Sequence, residues 1–570
     1  MRAVVLDGYS DEPAGLGVPP YLDVYSRYVA GAIWSVEHAA EVLYFTVDQA
    51  RADFSRFAKA ASRADLLVVV AGVCVPGKYL GGEPIRLEEL KAWSKLIRGP
   101  VKVLGGPAAK FGFGIEGGRV AKLPSEASEG FDLVATGDVE AVVYRLLQEN
   151  LRAEAVDPGE ERPSQGFIAE LAVRGAKLVV QHPCYRRNLI CEIETYRGCP
   201  RAVVGGCSFC IEPLRGLPQF REPRDVVREV EALYKAGVEF IRLGRQPDFF
   251  TYMARGVGDL EFPEPRPEEI EKLLAGIRAV APGLRTLHID NVNPGTVYHH
   301  PEESRRIAKI LLKYHTPGDV AAYGIESADP RVVKLNNLKV MPDEAFEAIR
   351  LLNEVGAVRG WNGLPHLLPG VNFVYGLIGE TKETYRLNLE FMKRVLEEGL
   401  MVRRINLRQV MAFPGTRMWS YGDQVIRRHR RLFQAHKLRM RREVDLPMLR
   451  RVVPAWTILR EVYVEKAGRN LTYARQVGAY PILVCCREKL ELGRFMDFTV
   501  VAHGYRSVTG IPHPLDLNKA SRRLLEDIPL IGRRRAYRIA ARRPIRSLSE
   551  LAEALGSRKA AEKLKPYIKL

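Results

Sequence analysis

The chain has 570 residues, 46% hydrophobic and 27% charged, the balance of a soluble globular protein and too long for one core. Eight cysteines are too few for a disulfide framework at this length. The N-terminus shows no secretory signal, and the longest apolar run, residues 66–75, is about half of a bilayer span. A disulfide scaffold and a membrane protein are thereby excluded, and a cytoplasmic protein is expected. The net charge of +18 is confined to the end of the chain: residues 421–570 hold 33 Lys and Arg against 14 Asp and Glu, a net of +19, which leaves the first 420 residues at −1. Such asymmetry suits a segment that meets polyphosphate.

In chain order, residues 1–155 read as a small open α/β domain. Apolar strands are expected at Ala3–Leu6, Val42–Thr46, Leu66–Val70, Val101–Leu104 and Leu133–Ala135, closed by turns at Gly72, Pro76-Gly77, Gly105-Gly106-Pro107 and Gly137. Ligands of such sheets bind at the carboxyl ends of the strands. Residues 11–21 are dense in Gly and Pro and read as a shaped loop; its carboxylates face a site or cap the next helix. Residues 156–189 read as a connector, with short strands at Lys177–Gln181 and Leu189–Thr195. Between Cys184 and Cys210 fall five of the eight cysteines, a concentration that reads as metal chemistry. Cys199, Cys207 and Cys210 stand at spacing Cys-x7-Cys-x2-Cys in a loop of Gly and Pro. Three ligands are informative: structural zinc wants four, whereas a cubane on three thiolates leaves one iron open.

From 190 to 420, strand-like and helical segments alternate, which predicts parallel βα units. Several strands end in polar groups: Gly244-Arg245-Gln246; His288, Asp290, Asn291 and Asn293; Glu326-Ser327; and Gly376 through Thr381. In a βα barrel these positions line the mouth. Residues 421–455 carry Arg427, Arg428, Arg430 and Arg431 interleaved with apolar residues and read as a basic helical linker laid on nucleic acid or on the barrel. Residues 456–512 show short strands at Val462–Glu465, Ala479–Cys485, Phe498–Ala502 and Tyr505–Val508 between glycines, the pattern of a five-stranded barrel. In residues 515–570, Gly532-Arg533-Arg534-Arg535 opens a helix after a tight turn, and Ser547-Leu548-Ser549-Glu550 is a capping-box start.

The cysteine loop, Gly-Ile-Glu-Ser at 324–327, Gly-Leu-Ile-Gly-Glu-Thr at 376–381 and Pro-Gly-Thr at 414–416 together resemble, in that order, the radical SAM enzymes. The first cysteine gap is four residues longer than their commonest spacing. The resemblance implies a [4Fe-4S] cluster on Cys199, Cys207 and Cys210, S-adenosylmethionine as second cofactor, a 5′-deoxyadenosyl radical, and an electron donor such as ferredoxin or flavodoxin. It places Gly244 and Gln246 at the amino group of S-adenosylmethionine, Glu326 and Ser327 at its ribose or carboxylate, and Phe209, Gly376, Gly379 and Thr381 at its adenine. Each also has a plainer role: a helix cap for Ser327, a core side chain for Phe209.

Residues 1–155 resemble the cobalamin-binding-like domain that precedes many such barrels. The cobalt-ligating Asp-x-His-x-x-Gly is replaced by Asp7-Gly8-Tyr9-Ser10-Asp11-Glu12, so cobalamin is possible but not favoured. Residues 456–512 resemble a TRAM-type barrel, and 528–536 a helix-hairpin-helix motif whose first glycine is Leu530 here; the motif implies phosphate contacts from Gly532, Arg533, Arg534 and Arg535. The expected architecture is therefore a Rossmann-like open sheet, a partial TIM-type radical SAM barrel, a small β-barrel and a helix-hairpin-helix tail. The leading functional expectation is methylation or methylthiolation of a base in tRNA or rRNA. The alternatives are a radical SAM enzyme acting on a peptide or small molecule, and a non-catalytic nucleic-acid-binding protein with zinc on Cys191, Cys199, Cys207 and Cys210.

Overall fold

The computed structural model describes residues 1–9, 20–72, 82–114 and 116–570. Most of the loop 11–21, with Asp11 and Glu12, and the turn Pro76-Gly77 lie outside the described residues.

Five apolar runs pair in parallel, in the order Glu41–Thr46, Arg2–Asp7, Leu66–Val70, Val101–Gly105, Leu133–Val134. Alternate residues of the central strand serve two cores. Leu66, Val68 and Val70 pack under helices Val24–Val36 and Val139–Gln148. Leu67 and Val69 pack with Phe57 and Leu90 of the helices on the other face. Burial on both faces is why these strands read as continuous apolar runs.

The second unit has six strands in sequence order: Ile190–Glu194, Phe240–Gly244, Thr286–Ile289 continued by Asn291–Val292, Asp319–Glu326, Leu367–Tyr375 and Arg404–Gln409. All pair in parallel, and the break at Asp290 divides the sheet into two ladders. Proline opens six of the intervening helices, at Pro223, Pro267, Pro294, Pro301, Pro330 and Pro342, where its missing N–H has no helical partner to lose. Tyr21–Leu22 adds to the edge of the first strand, so a stretch expected to be loop is an edge strand of the barrel.

One further expectation is corrected. Lys177–Gln181 belongs to a 3-10 helix, Ala176–Gln181, not a strand. The basic segment after 421 is a helix laid on the barrel, one of the two placements expected for it. Gln424–Met440 is a helix whose Ile426, His429, Phe433, His436 and Met440 are buried. It follows the sixth strand and docks through a 2.7 Å Tyr375–His436 hydrogen bond.

Five strands then close a small barrel in the order Ile458–Ala467, Thr472–Gln476, Leu483–Cys486, Ser507–Pro512, Phe495–His503. The expected strand at 479–485 begins only at Leu483, because Ala479 and Tyr480 plug the base of the larger barrel. Ala479 N–H donates to His288 Nδ1 (3.0 Å), and Tyr480 donates to Asp290 Oδ1 (2.7 Å). The chain ends in helices Arg522–Glu526, Gly532–Ala541, Leu548–Leu555 and Arg558–Leu564, tied by pairing of Leu515–Asp516 with Ile568–Lys569. Among the described residues no helix is long and apolar enough to cross a membrane.

Candidate cluster site and barrel lumen

The cysteine loop is tight and partly buried: Arg201, Cys207 and Ser208 are buried, whereas Val203 and Val204 are exposed. Cys199 N–H bonds Gly216 O (3.0 Å), and Pro200–Val204 form a 3-10 turn. Gly205 and Gly206 then run left-handed (φ 77° and 65°), which lets the chain reverse into Cys207. This is how the longer first gap is accommodated. The three thiols lie within one another's electrostatic field. Burial and the field of Cys207 push the Cys199 thiol up to about 12. Burial, Cys207 and Cys199 push that of Cys210 well above its usual range.

Two cations answer this density. Buried Arg201 donates from Nη1 to Cys207 Sγ (3.0 Å) and from Nε to Glu261 (2.8 Å). Lys339 Nζ lies 3.5 Å from Glu326 Oε1 and bonds Gly324 O (3.3 Å). Burial alone would lower its pKa, but the fields of Glu326, Cys207 and Cys210 outweigh this and raise it. Three sulfur donors in one loop and two flanking cations, among the described residues, are a donor set that fits a cluster carrying negative charge on three thiolates.

The zinc reading is not supported. Cys191 lies in the first barrel strand, and the charges that act on it are Arg27, Glu229 and Glu192, not the other cysteines. Among the described residues no three His, Cys, Asp or Glu side chains, the loop cysteines included, are already grouped to hold one ion; it is the place of Cys191 that separates it from the other three.

Asparagines that the sequence reading passed over fix the loop. Asn336 Oδ1 accepts from Ser208 Oγ (2.7 Å) and Ile378 N–H (3.2 Å), and its Nδ2 donates to Val332 O and Ile378 O (both 2.8 Å). Asn337 Nδ2 donates to Val204 O and Gly206 O (both 2.9 Å). In sequence, Asn336-Asn337 after a helix reads only as a cap; Lys339 and Arg201 carry no signal at all.

The other expected residues separate. Phe209 packs beside a core of Cys207, Leu377, Val410 and Met418. Glu326 is buried at φ 67° with its pKa raised by burial, against the fields of Lys339 and Arg408. Ser327 is buried, and its Oγ accepts from Asp329 N–H (3.1 Å); Asp329, not Ser327, caps the helix Pro330–Leu335. Gly244 makes room for a neighbour: a Cβ there would lie 1.7 Å from Glu192 Oε1. Gln246 is held by Thr195 Oγ1 and Leu243 O (both 3.1 Å). A Cβ at Gly376 would lie 2.3 Å from Ile426, and one at Gly379 2.3 Å from Leu335.

Thr381 is exposed and caps the helix Lys382–Glu397. His288 and Asp290 hold the plug, and Asn293 caps Pro294–His299, so these three are structural. In the tail, Arg533 and Arg534 are exposed, whereas Arg535 folds back to donate to Leu530 O (2.8 Å). Gly532 has φ 61° with open space around it. Arg428, Arg430 and Arg431 are exposed, and Arg427 pairs with Asp423 at 2.8 Å.

Residues 193–392 match the Radical SAM superfamily. Domains of that superfamily use a [4Fe-4S] cluster and S-adenosylmethionine. The chain is of one family with an uncharacterized protein of Methanocaldococcus jannaschii, 46% identical over 89% of this chain and 93% of that one. A second uncharacterized relative, from Archaeoglobus fulgidus, is 43% identical over 99% of both chains. A ribosomal protein uS12 methylthiotransferase of Thermus thermophilus is 27% identical over 49% of this chain and 56% of its own. A tRNA-2-methylthio-N(6)-dimethylallyladenosine synthase of Mycolicibacterium smegmatis is 26% identical over 40% and 41%. Among solved structures, a radical S-adenosylmethionine methyltransferase from Kitasatospora setae aligns at TM-score 0.45 and 15% identity over 73% of this chain and 75% of that one.

Proposed function

We propose that the protein modifies a base in tRNA or rRNA, by methylation or methylthiolation, with its cluster held by Cys199, Cys207 and Cys210. The observation that carries the reading is one short loop that holds Cys199, Cys207 and Cys210, with Arg201 donating to Cys207 Sγ and Lys339 in the field of Cys207 and Cys210, beside a six-stranded βα barrel. When bound, the cluster and S-adenosylmethionine supply a carbon-centred radical able to abstract an unactivated hydrogen. The chain's own part is to position and to exclude water. Arg201 and Lys339 balance charge at the sulfurs. Glu326, one contact further in, is the group offered to the ribose or carboxylate of S-adenosylmethionine.

The N-terminal domain closes over the barrel mouth. Its Gly118 and Ala121 N–H groups bond Val410 O and Ala412 O (both 2.9 Å) beyond the sixth strand, and Phe111 and Ala121 pack with Ile211 and Phe413. With Tyr9 in place of a histidine, this domain is proposed to work without tight cobalamin binding.

RNA is favoured by the exposed arginines of the docked helix and of the Gly532–Ala541 helix, and by the partial similarity to a tRNA-modifying synthase. Unstacked RNA loops also present bases at little cost. The partial similarity to a ribosomal protein methylthiotransferase favours a second reading, a peptide substrate with the basic tail as ribosome tether. The test is to recover the RNA that co-purifies with the protein and compare its nucleosides before and after anaerobic turnover. An unchanged RNA alongside a mass shift in a ribosomal protein would replace the first reading by the second.

A further inference from the structure

One helix of the tail presents a bare aromatic ring in the middle of a cationic face. Between Asp527 and Glu550 the chain holds seven arginines and no acidic residue. The helix Gly532–Ala541 lies in this stretch, buries Ala536 and Ile539 and packs on the helix Leu548–Leu555. By helical periodicity the opposite face carries Arg533, Arg534, Tyr537, Arg538 and Ala541, and all five are exposed. Tyr537 is 65% exposed, more than any other Phe, Tyr or Trp among the described residues.

Nothing in the chain claims this ring. Among the described residues neither its hydroxyl nor its face meets a partner, and Arg533 and Arg534 make no ion pair. A helical side chain leans back over the preceding turn, here toward Arg533 and Arg534. One turn further on stand Ala540 and Ala541, too small to cover the ring. Arg538 is turned the other way: its Nη2 donates to Leu555 O (3.2 Å), and a Cβ at Gly556 would lie 3.5 Å from its Nη1. It thereby joins the face to the second turn, where Gly556 is left-handed (φ 62°) and Lys559 is exposed. The acids nearby are engaged at the flanks: Glu553 pairs with Arg542 at 3.7 Å, and Glu562 with Arg558 at 3.1 Å.

We propose that this face is a stacking platform for an unpaired stretch of RNA: one base lies on Tyr537, with neighbouring phosphates on Arg533 and Arg534 to one side and on Arg538 and Lys559 to the other. The inference rests on the RNA reading above and narrows it from RNA at large to a single strand. A duplex needs only cations, since its base faces are covered, and a bare ring at the centre of the face gives it no contact. An unpaired base of any kind offers a π-face to the ring, and guanidinium groups beside it suit the phosphates. A tail that grips unpaired RNA also leaves adjoining bases free for the barrel, whose target must be out of the stack.

The test is binding of full-length protein, across a range of salt, to a short fluorescent RNA as a single strand, to the same RNA paired with its complement, and to the DNA strand of the same sequence. Tyr537→Ala weakens binding of the single-stranded RNA by roughly tenfold to a hundredfold, the range for one base stacked on an aromatic ring, and leaves the duplex within about twofold. Its slope of log affinity against log salt stays that of wild type, because stacking neutralises no phosphate. Tyr537→Phe, which keeps the ring, binds as wild type and separates loss of stacking from loss of fold.

An unchanged affinity of Tyr537→Ala for the single strand, an equal loss on the duplex, a loss in Tyr537→Phe as large as in Tyr537→Ala, or a changed salt slope would overturn the inference. Tighter binding of the DNA strand would overturn its assignment to RNA. The parent reading fails separately: the RNA that co-purifies with the protein then shows no altered nucleoside, while the dependence of binding on Tyr537 stands.

Discussion

Replacing Asn336 by Ala is the sharpest perturbation of the cluster site that leaves every cysteine in place. The side chain is fully buried and makes four hydrogen bonds, joining Ser208, between Cys207 and Phe209, to Ile378 of the glycine-rich loop and to Val332. Alanine removes all four and strands the Ser208 hydroxyl and the Ile378 N–H. At about 1 kcal/mol per net bond, with more for each stranded group, the local cost is roughly 3–6 kcal/mol. That raises the open population of the loop by about two to four orders of magnitude. The assay is iron per chain after anaerobic reconstitution, paired with limited proteolysis across 200–217. Asn336→Ala is expected to lose most of its iron and to be cut in the loop. Ser208→Ala, which removes one bond, keeps its iron. An Asn336→Ala protein that loads iron like wild type and resists the protease refutes the view that the asparagine holds the cysteines in register.

Cys207→Ala is expected to abolish iron binding and Cys184→Ala to leave it intact, read by iron content and by the signal of the reduced cluster. Arg201→Gln removes a cation that donates to Cys207 Sγ; the added electron is then less well stabilised, so the potential falls by on the order of 50 mV in a redox titration. Asp7 is raised to about 7 by burial and by Asp23. The native state therefore keeps a proton that the unfolded chain loses near pH 4, and stability declines as pH climbs from about 4 to 7. Asp7→Asn should flatten that decline and stabilise the protein above pH 7 by at most about 4 kcal/mol, measured by denaturant melts at pH 5 and 8; equal slopes for both proteins would contradict it. Arg533→Gln with Arg534→Gln should weaken RNA binding broadly and reduce the slope of log affinity against log salt by about 2; an unchanged slope takes the phosphate contact away from this helix.

What was legible in the sequence is what repeats with a period or stands in a spaced motif. The five apolar runs of the first sheet and the order of strands in the barrel follow from runs bounded by turn residues. The small barrel was legible only in part. Thr472–Gln476 reads as polar because Thr472 bonds a backbone carbonyl and Arg475 an acid across the strand pair. Ala479–Tyr480 has strand composition yet serves as a plug, a role set by contacts with residues some 190 positions earlier. The cysteines of the site were legible from spacing alone. Arg201, Asn336, Asn337 and Lys339 were not, because each acts through a partner far away in sequence. Gly376, Gly379 and Thr381 carry two signals at once: their residue types suit close approach to a ligand, and the two glycines also make room for Ile426 and Leu335 while Thr381 caps a helix.

The joint between the first domain and the barrel explains why the two cannot be read as independent units. Asp138 and Glu140, in a Gly-Asp-Val-Glu stretch that a sheet domain would place at a ligand, are buried instead with Arg162, Glu194 and Arg197. Arg162 bridges both acids to Glu194 of the first barrel strand, and Arg197, two residues before Cys199, donates to Asp138. A second buried group runs from Arg27 of the first domain to Glu229 and the Glu192 carbonyl of the barrel, with Arg221 on the same glutamate. Buried charges of this kind add little net stability against an apolar contact of the same shape, but removing one partner costs about 3–5 kcal/mol. Their effect is therefore on register: the domain docks in one position or not at all. Because Arg197 belongs to the cysteine loop and Tyr21–Leu22 to the barrel sheet, that one position also sets the start of the loop. The same buried charges thus tie the docked position of the first domain to the start of the cysteine loop.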